Sequence, residues 1–577
     1  MLKLLSYLKG YRIKTILGPL FKLVEAILEL LVPIVVAKII DEAIPAGKTG
    51  DYSLLTEYSI SLLVLAAVGL AFALVAQFYA SRASMGFGTN LRKDLYAHIN
   101  SLSQADVDRI GAPSLMTRLV GDTAQCQQGV AMFIRLVTRA PFVVIGSIIM
   151  AVSIDKKLSL IFIGASLLIA VIMYFIMSHS FKEYGKARGK LDDVALSVRE
   201  NLGGARVIRA FSREEREKAD FAAKNDMLTK ISVKIGKISN LTNPMSYAII
   251  NVAVILVLWL GGGQVYYGNL KQGEIIALVN YLTLIMTALA VLANLVVTFS
   301  RASASAKRIN EVFAIPPAAN SGAGAVPDYS EPAVCVKNLS FTYSGNSENT
   351  LSDINFEIGK GQTLGIVGGT GSGKSTLVQL IAGLYDCTPG SIKLFGNCVG
   401  DYTVSQRSDL IGFAMQKSVL FSGTIRENMV WRRPDAGEKE ISDALRTAQA
   451  YDFVMQKKGG LDTEIRESGA NFSGGQRQRL NIARALVGKP DILILDDSSS
   501  ALDYATDAAL RKALKEDCKD LTVLVISQRA TSMQAMDLIL VMDDGKIVGR
   551  GKHDQLLKTC REYREIYNSQ VAEEDRV

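Results

Sequence analysis

Hydropathy divides the chain before any motif is considered. Its first half sets long apolar stretches, near residues 15–40, 59–80, 134–154, 158–178, 245–267 and 275–299, between charged segments. Its second half breaks instead into short apolar runs of strand length, separated by helical patterns. Each long stretch can supply the roughly 20 helical residues that cover a hydrocarbon core. Six together predict an all-α, six-helix transmembrane domain over residues 1–314. The intervening stretches 81–133 and 179–244 carry no Pro or Gly cluster where they leave the membrane. The spans are therefore expected to run on as long helical extensions that turn back near Gly111–Ala112–Pro113 and Gly203–Gly204.

A Pro-, Gly- and Ala-rich piece, IPPAANSGAGAVPDYSEP at 315–332, follows and reads as a linker. Beyond it, residues 333–577 read as an α/β domain in which runs such as Leu364–Val367 and Ile492–Leu495 predict buried strands.

Charge adds orientation. Lys and Arg gather in the N-terminal segment (Lys3, Lys9, Arg12, Lys14) and in the two long extramembrane stretches, while the other loops are short and poorer in both. Both termini and the second domain are thus expected in the cytoplasm, on a multi-pass protein of the plasma membrane. Lys156 and Lys157 run against this trend in a very short outer turn. The opening MLKLLSYLKGYRIK lacks a small-residue cleavage site and predicts a helix lying on the membrane face. Extramembrane loops facing anionic lipid account for the net charge of +8, which gives no reason to invoke nucleic acid. Five of the six cysteines lie in the second half without a CxxC pair, and read as small buried apolar residues in a reducing compartment.

The strongest chemical signal is GIVGGTGSGKST at 365–376, where Gly368 to Ser375 fit G-x-x-x-x-G-K-[ST] between a strand and a helical pattern. Glycines there let backbone N–H groups wrap phosphate oxygens, and the helix start favours their charge. Gly368, Gly369, Thr370, Gly371, Ser372, Gly373, Lys374, Ser375 and Thr376 are the resulting ATP-binding candidates. Lys374 would reach the β- and γ-phosphates, and Ser375 would give an oxygen to Mg²⁺. The apolar run ending at Asp496 delivers the complementary metal carboxylate to a strand's C-terminal edge. A second cradle, Ser473, Gly474, Gly475 and Gln476 in NFSGGQRQR, cannot easily fold back onto its own P-loop, so it is expected to serve another subunit.

With these motifs in place, the second half resembles the nucleotide-binding domain of an ABC transporter, and nearly the whole chain resembles an ABC exporter half-transporter. The resemblance implies further roles. Tyr343, in LSFTY, matches the aromatic that stacks on adenine. Gln416, in AMQKSVLFSGTIREN, matches the glutamine that senses magnesium and the membrane domain. Glu467 matches the acidic residue ahead of SGGQ, and Ser500 to Asp503 match the loop crossing the dimer interface. GAPSLMTRLVGD (111–122) and GARVIRAFSREER (204–216) are similar to the two segments that couple the membrane domain to ATPase domains.

Two positions depart from the family pattern. Where most active members carry Glu after the metal-binding Asp, as base or positioner of the attacking water, this chain has Asp497, shorter by roughly 1.5 Å. Where the family places a histidine against the γ-phosphate, it has Gln528, which hydrogen-bonds but offers no imidazolium. Both catalytic positions are thus degenerate replacements beside an intact binding apparatus. The pairing resembles heterodimeric multidrug-type exporters with one slow and one active ATP site. It implies a second, non-identical half-transporter as partner and the outward transport of small amphiphilic, drug-like molecules across a lipid membrane. The alternative is a homodimer exporting lipid or peptide with two slow sites. Lys22, Glu25 and Glu29 fall on one face of the first span, and Glu25 and Glu29 are candidates for attracting cationic amphiphiles, unless Lys22 pairs with them internally.

Overall fold

The structure, a computed structural model, describes residues 2–570 apart from 49, 319–321, 323, 344–346 and 499. The chain forms two compact units: Met1–Ile99 with Pro113–Ala314, and Asn100–Ala112 with Ile315–Val577.

Among the described residues the first unit consists of helices and the turns that join them. Among the described residues, five stretches are long and apolar enough to cross a membrane: Ser53–Asn100, Ala112–Ile154, Ser159–Gly203, Glu214–Tyr266 and Gln272–Phe313. The remaining expected span falls on helix Arg12–Lys38, which is long enough but carries Lys22, Glu25 and Glu29 in its middle. The expected extensions are present: helix Ser53–Asn100 runs unbroken for 48 residues. At 1.5 Å per residue that is about 70 Å, more than twice a hydrocarbon core. The turns fall where glycine permits them. Gly111 takes a left-handed φ of 83° to end helix Gln104–Ile110, and helix Ser159–Gly203 gives way at Gly204 to the short helix Ala205–Ala210. The N-terminal Leu2–Tyr11 is wound more tightly than expected, as a 3₁₀ helix whose Leu4 and Leu8 are buried.

Small residues let the helices approach: Ala26, Ala37, Ala253 and Ala277 are all buried. Tyr281, in helix Gln272–Phe313, satisfies its buried hydroxyl by donating to the Leu30 carbonyl at 2.7 Å. Farther along the same helix, the Arg308 guanidinium donates to both carboxylate oxygens of buried Asp122, through Nε at 2.8 Å and through Nη2.

Among the described residues the second unit holds twelve strands. β1 (Val334–Phe341), β2 (Leu351–Ile358), β4 (Ile392–Leu394) and β5 (Asn397–Cys398) form an antiparallel sheet in the order β2-β1-β4-β5. β3 (Thr363–Gly368), β6 (Ile411–Ala414), β9 (Ile492–Asp496), β10 (Thr522–Ile526), β11 (Leu538–Asp543) and β12 (Lys546–Gly551) form the central sheet, ordered β12-β11-β3-β10-β9-β6. All its pairings are parallel except that of the edge strand β12. β7 (Gly423–Thr424) and β8 (Glu464–Ile465) make a small separate ladder. Every residue of β9 and β10 is buried, which explains why these strands read as continuous apolar runs rather than alternating ones.

Part of the 315–332 linker lies outside the described residues. Its described part is tied down rather than free: the Gly322 and Asp328 amides donate to the Gly400 and Phe395 carbonyls. The second unit also takes in helix Gln104–Ile110, capped by Ser103. Of the expected coupling segment 111–122, Gly111 and Ala112 fall in this unit and the residues from Pro113 onward in the first. The 204–216 segment lies wholly in the first unit.

Candidate nucleotide-binding site

β3 and β9 are brought close by β10, which pairs with both in register: Val525 faces Gly365 on one side and Leu495 on the other. Their C-terminal edges thereby set the P-loop beside Asp496. The loop needs glycine where the backbone turns left-handed, at Gly371 (φ 84°) and Gly373 (φ 90°). At Gly373 a side chain would also strike Leu351 and the Thr350 carbonyl.

Helix Lys374–Ile381 starts directly from this loop, and Lys374 is buried at its first position. Its Nζ donates to the Gly368 carbonyl at 2.9 Å, the Gly369 carbonyl at 2.5 Å and the Ser372 hydroxyl at 3.2 Å. All three acceptors are uncharged, and among the described residues Lys374 has no ion-pair partner. Burial consequently pushes its ammonium below the usual lysine range, against the pull of Asp497 and Asp496. A buried cation lacking an anion, in a cradle of backbone N–H groups, fits the phosphates of a nucleotide.

The metal donors fit as well. The Ser375 hydroxyl donates to the Asp496 carboxylate at 2.9 Å. Burial raises Asp496 above the usual carboxylate range, with neighbouring Asp497 adding to the shift and Ser375 opposing it. Among the described residues no group of three or more His, Cys, Asp or Glu could hold a metal. Ser375 and Asp496 would therefore hold Mg²⁺ together with phosphate and water oxygens, where the ion would neutralise charge on the nucleotide.

Asp497 sits on a left-handed backbone, φ 47°, which Asp tolerates better than most residues. Its amide extends the ladder by donating to the Ile526 carbonyl at 3.0 Å. Gln416 Nε2 donates to its carboxylate at 3.4 Å, placing the glutamine at Asp497. Burial raises the Asp497 carboxyl too, while Gln416, Lys374 and Arg529 oppose that. Gln528 follows β10 and is exposed, its carbonyl accepting from Gln570 at 2.7 Å.

Tyr343 meets Phe341 and Tyr385 edge-on, with ring centroids 5.0 and 5.3 Å away. Its hydroxyl shares hydrogen bonds with the Thr376 hydroxyl at 3.2 Å and the accepting Gln379 Oε1 at 3.3 Å, so this aromatic stands beside the start of the P-loop helix. Tyr385 was not anticipated. It follows the helix in LYDCTPG, and only the folded structure joins it to Tyr343 and, through its hydroxyl, to the Asp108 carboxylate.

SGGQ begins helix Gly474–Leu486 with a capping box: Ser473 Oγ accepts from the Gln476 amide at 3.3 Å, and Gln476 Oε1 accepts from the Ser473 amide at 3.1 Å. Ser473 and Gly474 are exposed, and a Cβ at Gly474 would meet nothing within 4 Å, so the turn is open to an incoming group. Glu467 is exposed in the preceding turn. Ser500 donates back to the Asp497 carbonyl at 2.9 Å, and Asp503 caps helix Tyr504–Asp517 by accepting from the Thr506 amide at 2.8 Å.

In the first unit, Lys22 donates to Glu25 at 2.5 and 2.7 Å. Glu29 turns instead to Arg139 of helix Arg139–Ile154, at 2.7 Å. Glu25 and Glu29 are thus each neutralised by a basic residue, the internal pairing that the sequence left open, and the second partner lies on another helix.

An apolar helical membrane unit joined to a P-loop unit with an SGGQ helix start defines an ATP-driven membrane transporter. The chain belongs to the ABC transporter family. Residues 15–289 match the ABC transporter transmembrane region, and residues 351–500 match the ABC transporter family model. An uncharacterized ABC transporter ATP-binding protein of Mycobacterium tuberculosis is 35% identical over 573 residues, 98% of this chain and 97% of that one. An ATP-dependent lipid A-core flippase of Vibrio vulnificus is 31% identical over 484 residues, 84% of this chain and 83% of that one. The fold matches a bacterial Atm1-family ABC exporter with ATP bound, at a TM-score of 0.78 and 23% identity, over 98% of this chain and 99% of that one. The protein is thus a multi-pass ABC exporter half-transporter, with ATP and Mg²⁺ as its nucleotide and metal.

Proposed function

We propose that this chain is the slow-site subunit of a heterodimeric exporter, holding ATP on its own P-loop while lending SGGQ to a non-identical partner. The observation that carries this reading is the contrast inside one site. Lys374, Ser375 and Asp496 keep their binding arrangement, whereas the position that acts on water holds Asp497, whose carboxylate meets Gln416 only at 3.4 Å. A displacement on the order of 1 Å in a catalytic group can cost about 100-fold in rate. Gln528 removes the cationic contact to the γ-phosphate, so binding outlasts hydrolysis. Both termini lie in the cytoplasm, and the transported molecules are small, drug-like amphiphiles.

The test is magnesium-dependent ATP binding and hydrolysis by the chain alone in lipid nanodiscs. Tight binding with almost no turnover, restored when the partner is added, is the expected result. Turnover on the order of 1 s⁻¹ or more by the isolated chain would overturn it. A second reading, a homodimer exporting lipid, draws on the 31% identity to a lipid A-core flippase. That reading requires transport by copies of this chain without any different subunit.

A further inference from the structure

The first unit carries an open cleft of about 1370 Å³ between helices Ser159–Gly203, Glu214–Ser239, Thr242–Tyr266 and Gln272–Phe313. Within the apolar stretches its wall is made by side chains such as Ile169, Met173, Met177, Tyr247 and Met286. Beyond the ends of those stretches the wall changes character: Arg188 and Arg301 line it, with Asp192 as the one acidic residue among the described residues. Both arginines are exposed, and among the described residues neither makes an ion pair or a side-chain hydrogen bond. Asp192, one turn from Arg188 on the same helix, lies outside pairing distance of it. Ser180 and Ser239 hydrogen-bond to each other at 3.2 Å and add hydroxyls between the two zones.

The acidic residues that first pointed to a cationic cargo do not face an empty site. Lys22 and Arg139 already occupy Glu25 and Glu29. The unpaired charge lining the membrane unit's cleft is instead positive on balance, two guanidinium groups against the one carboxylate of Asp192. Guanidinium forks match the planar oxygens of carboxylate, sulfate and phosphate. Methionine and tyrosine walls suit an alkyl or ring system of no fixed shape.

We infer that this cleft selects anionic amphiphiles, with Arg188 and Arg301 receiving the acidic head and the Met173–Met177 wall receiving the apolar body. The inference rests on the exporter reading, and it sets the sign of charge that such an exporter takes. The shared chemistry is one negative head on an apolar chain, supplied either by a soluble amphiphile or by an anionic lipid of the bilayer.

The probes are dodecanoic acid and dodecylamine carrying the same fluorescent label, so that tail and label are equal and only head charge differs. Binding is measured on the full chain in phosphatidylcholine nanodiscs, against empty discs. The acid is expected to bind at least about tenfold more tightly than the amine, and Arg188→Ala with Arg301→Ala to abolish that preference. Arg188→Lys should keep part of it. Fluorescent-nucleotide binding at the P-loop checks that each variant is folded, and single-arginine variants stand in if the double one is not. Adding phosphatidylglycerol separates the two sources: displacement of the acid identifies membrane lipid as the natural occupant, and no displacement identifies a soluble amphiphile. Equal binding of acid and amine, or an acid preference unchanged in the arginine variants, overturns the inference. Charge-selective binding without ATP-dependent transport, in any pairing, would remove the exporter reading and leave the inference standing.

Discussion

The Tyr385 hydroxyl donates to the Asp108 carboxylate, while the Tyr385 ring meets that of Tyr343 edge-on at 5.3 Å. Tyr343 is the residue expected to stack on adenine, and Asp108 lies on helix Gln104–Ile110. One side chain therefore touches both the expected adenine aromatic and the helix that runs up to the expected coupling segment.

Tyr385→Phe keeps the ring contact and removes only the hydroxyl. ATP affinity should change less than about twofold, while stimulation of ATPase by transported substrate should fall several-fold, as for loss of one hydrogen bond to a charged group. Asp108→Asn, which still accepts, should be milder. Comparing nucleotide binding with substrate-stimulated hydrolysis separates the two effects; equal loss of both would sink this assignment.

Restoring the family residues tests the slow site. Asp497→Glu combined with Gln528→His should raise hydrolysis at this P-loop by about 100-fold, the scale set by misplacement of a catalytic group. Single-turnover measurements on the assembled pair, with the partner's own site disabled, would read this directly.

Lys374→Ala and Ser473→Ala should fail differently. Removing Lys374 deletes the buried cation of this P-loop and should abolish nucleotide binding here. Ser473→Ala should cost about 1 kcal/mol of helix capping yet leave binding at Lys374 intact, with the loss appearing in hydrolysis by the assembled pair. Photo-crosslinking of labelled ATP to each subunit distinguishes the two.

Burial of Asp496 gives a pH dependence with a defined sign. Its native carboxyl holds a proton above the usual carboxylate range. Within that window the native state binds more protons than the unfolded state, so this group's contribution falls as pH rises through it. Ligand-free Asp496→Asn should therefore gain on the wild type toward neutral pH, and the gain should vanish in acid below the usual carboxylate range. Magnesium with ATP should erase the difference at neutral pH by stabilising only the wild-type carboxylate. Thermal unfolding across this range, with and without nucleotide, checks both statements.

Much of this architecture was legible in the chain. Extended apolar runs and fully buried strands leave a mark on every residue, and Gly371 and Gly373 announce the P-loop because other residues strain there. Contacts between elements left no such mark. Arg139 reads as an ordinary charge at the start of a span until helix packing sets it against Glu29. Tyr385 and Asp108 are 277 residues apart in sequence, and nothing local to either names the other. Gly111 is legible as a turn, but the helix Gln104–Ile110 ahead of it is not, because the Ser103 cap that starts that helix is as commonplace as any serine in a loop.

The capping box at Ser473 and Gln476 holds the SGGQ turn in shape through four consecutive residues, without help from the P-loop of the same chain. Such a turn can be inherited separately from the site beside it. On the proposed pairing of two non-identical halves encoded by two genes, a lesion in this stretch should leave its own subunit's nucleotide occupancy unchanged. Its phenotype should instead match that of a lesion in the other gene's P-loop.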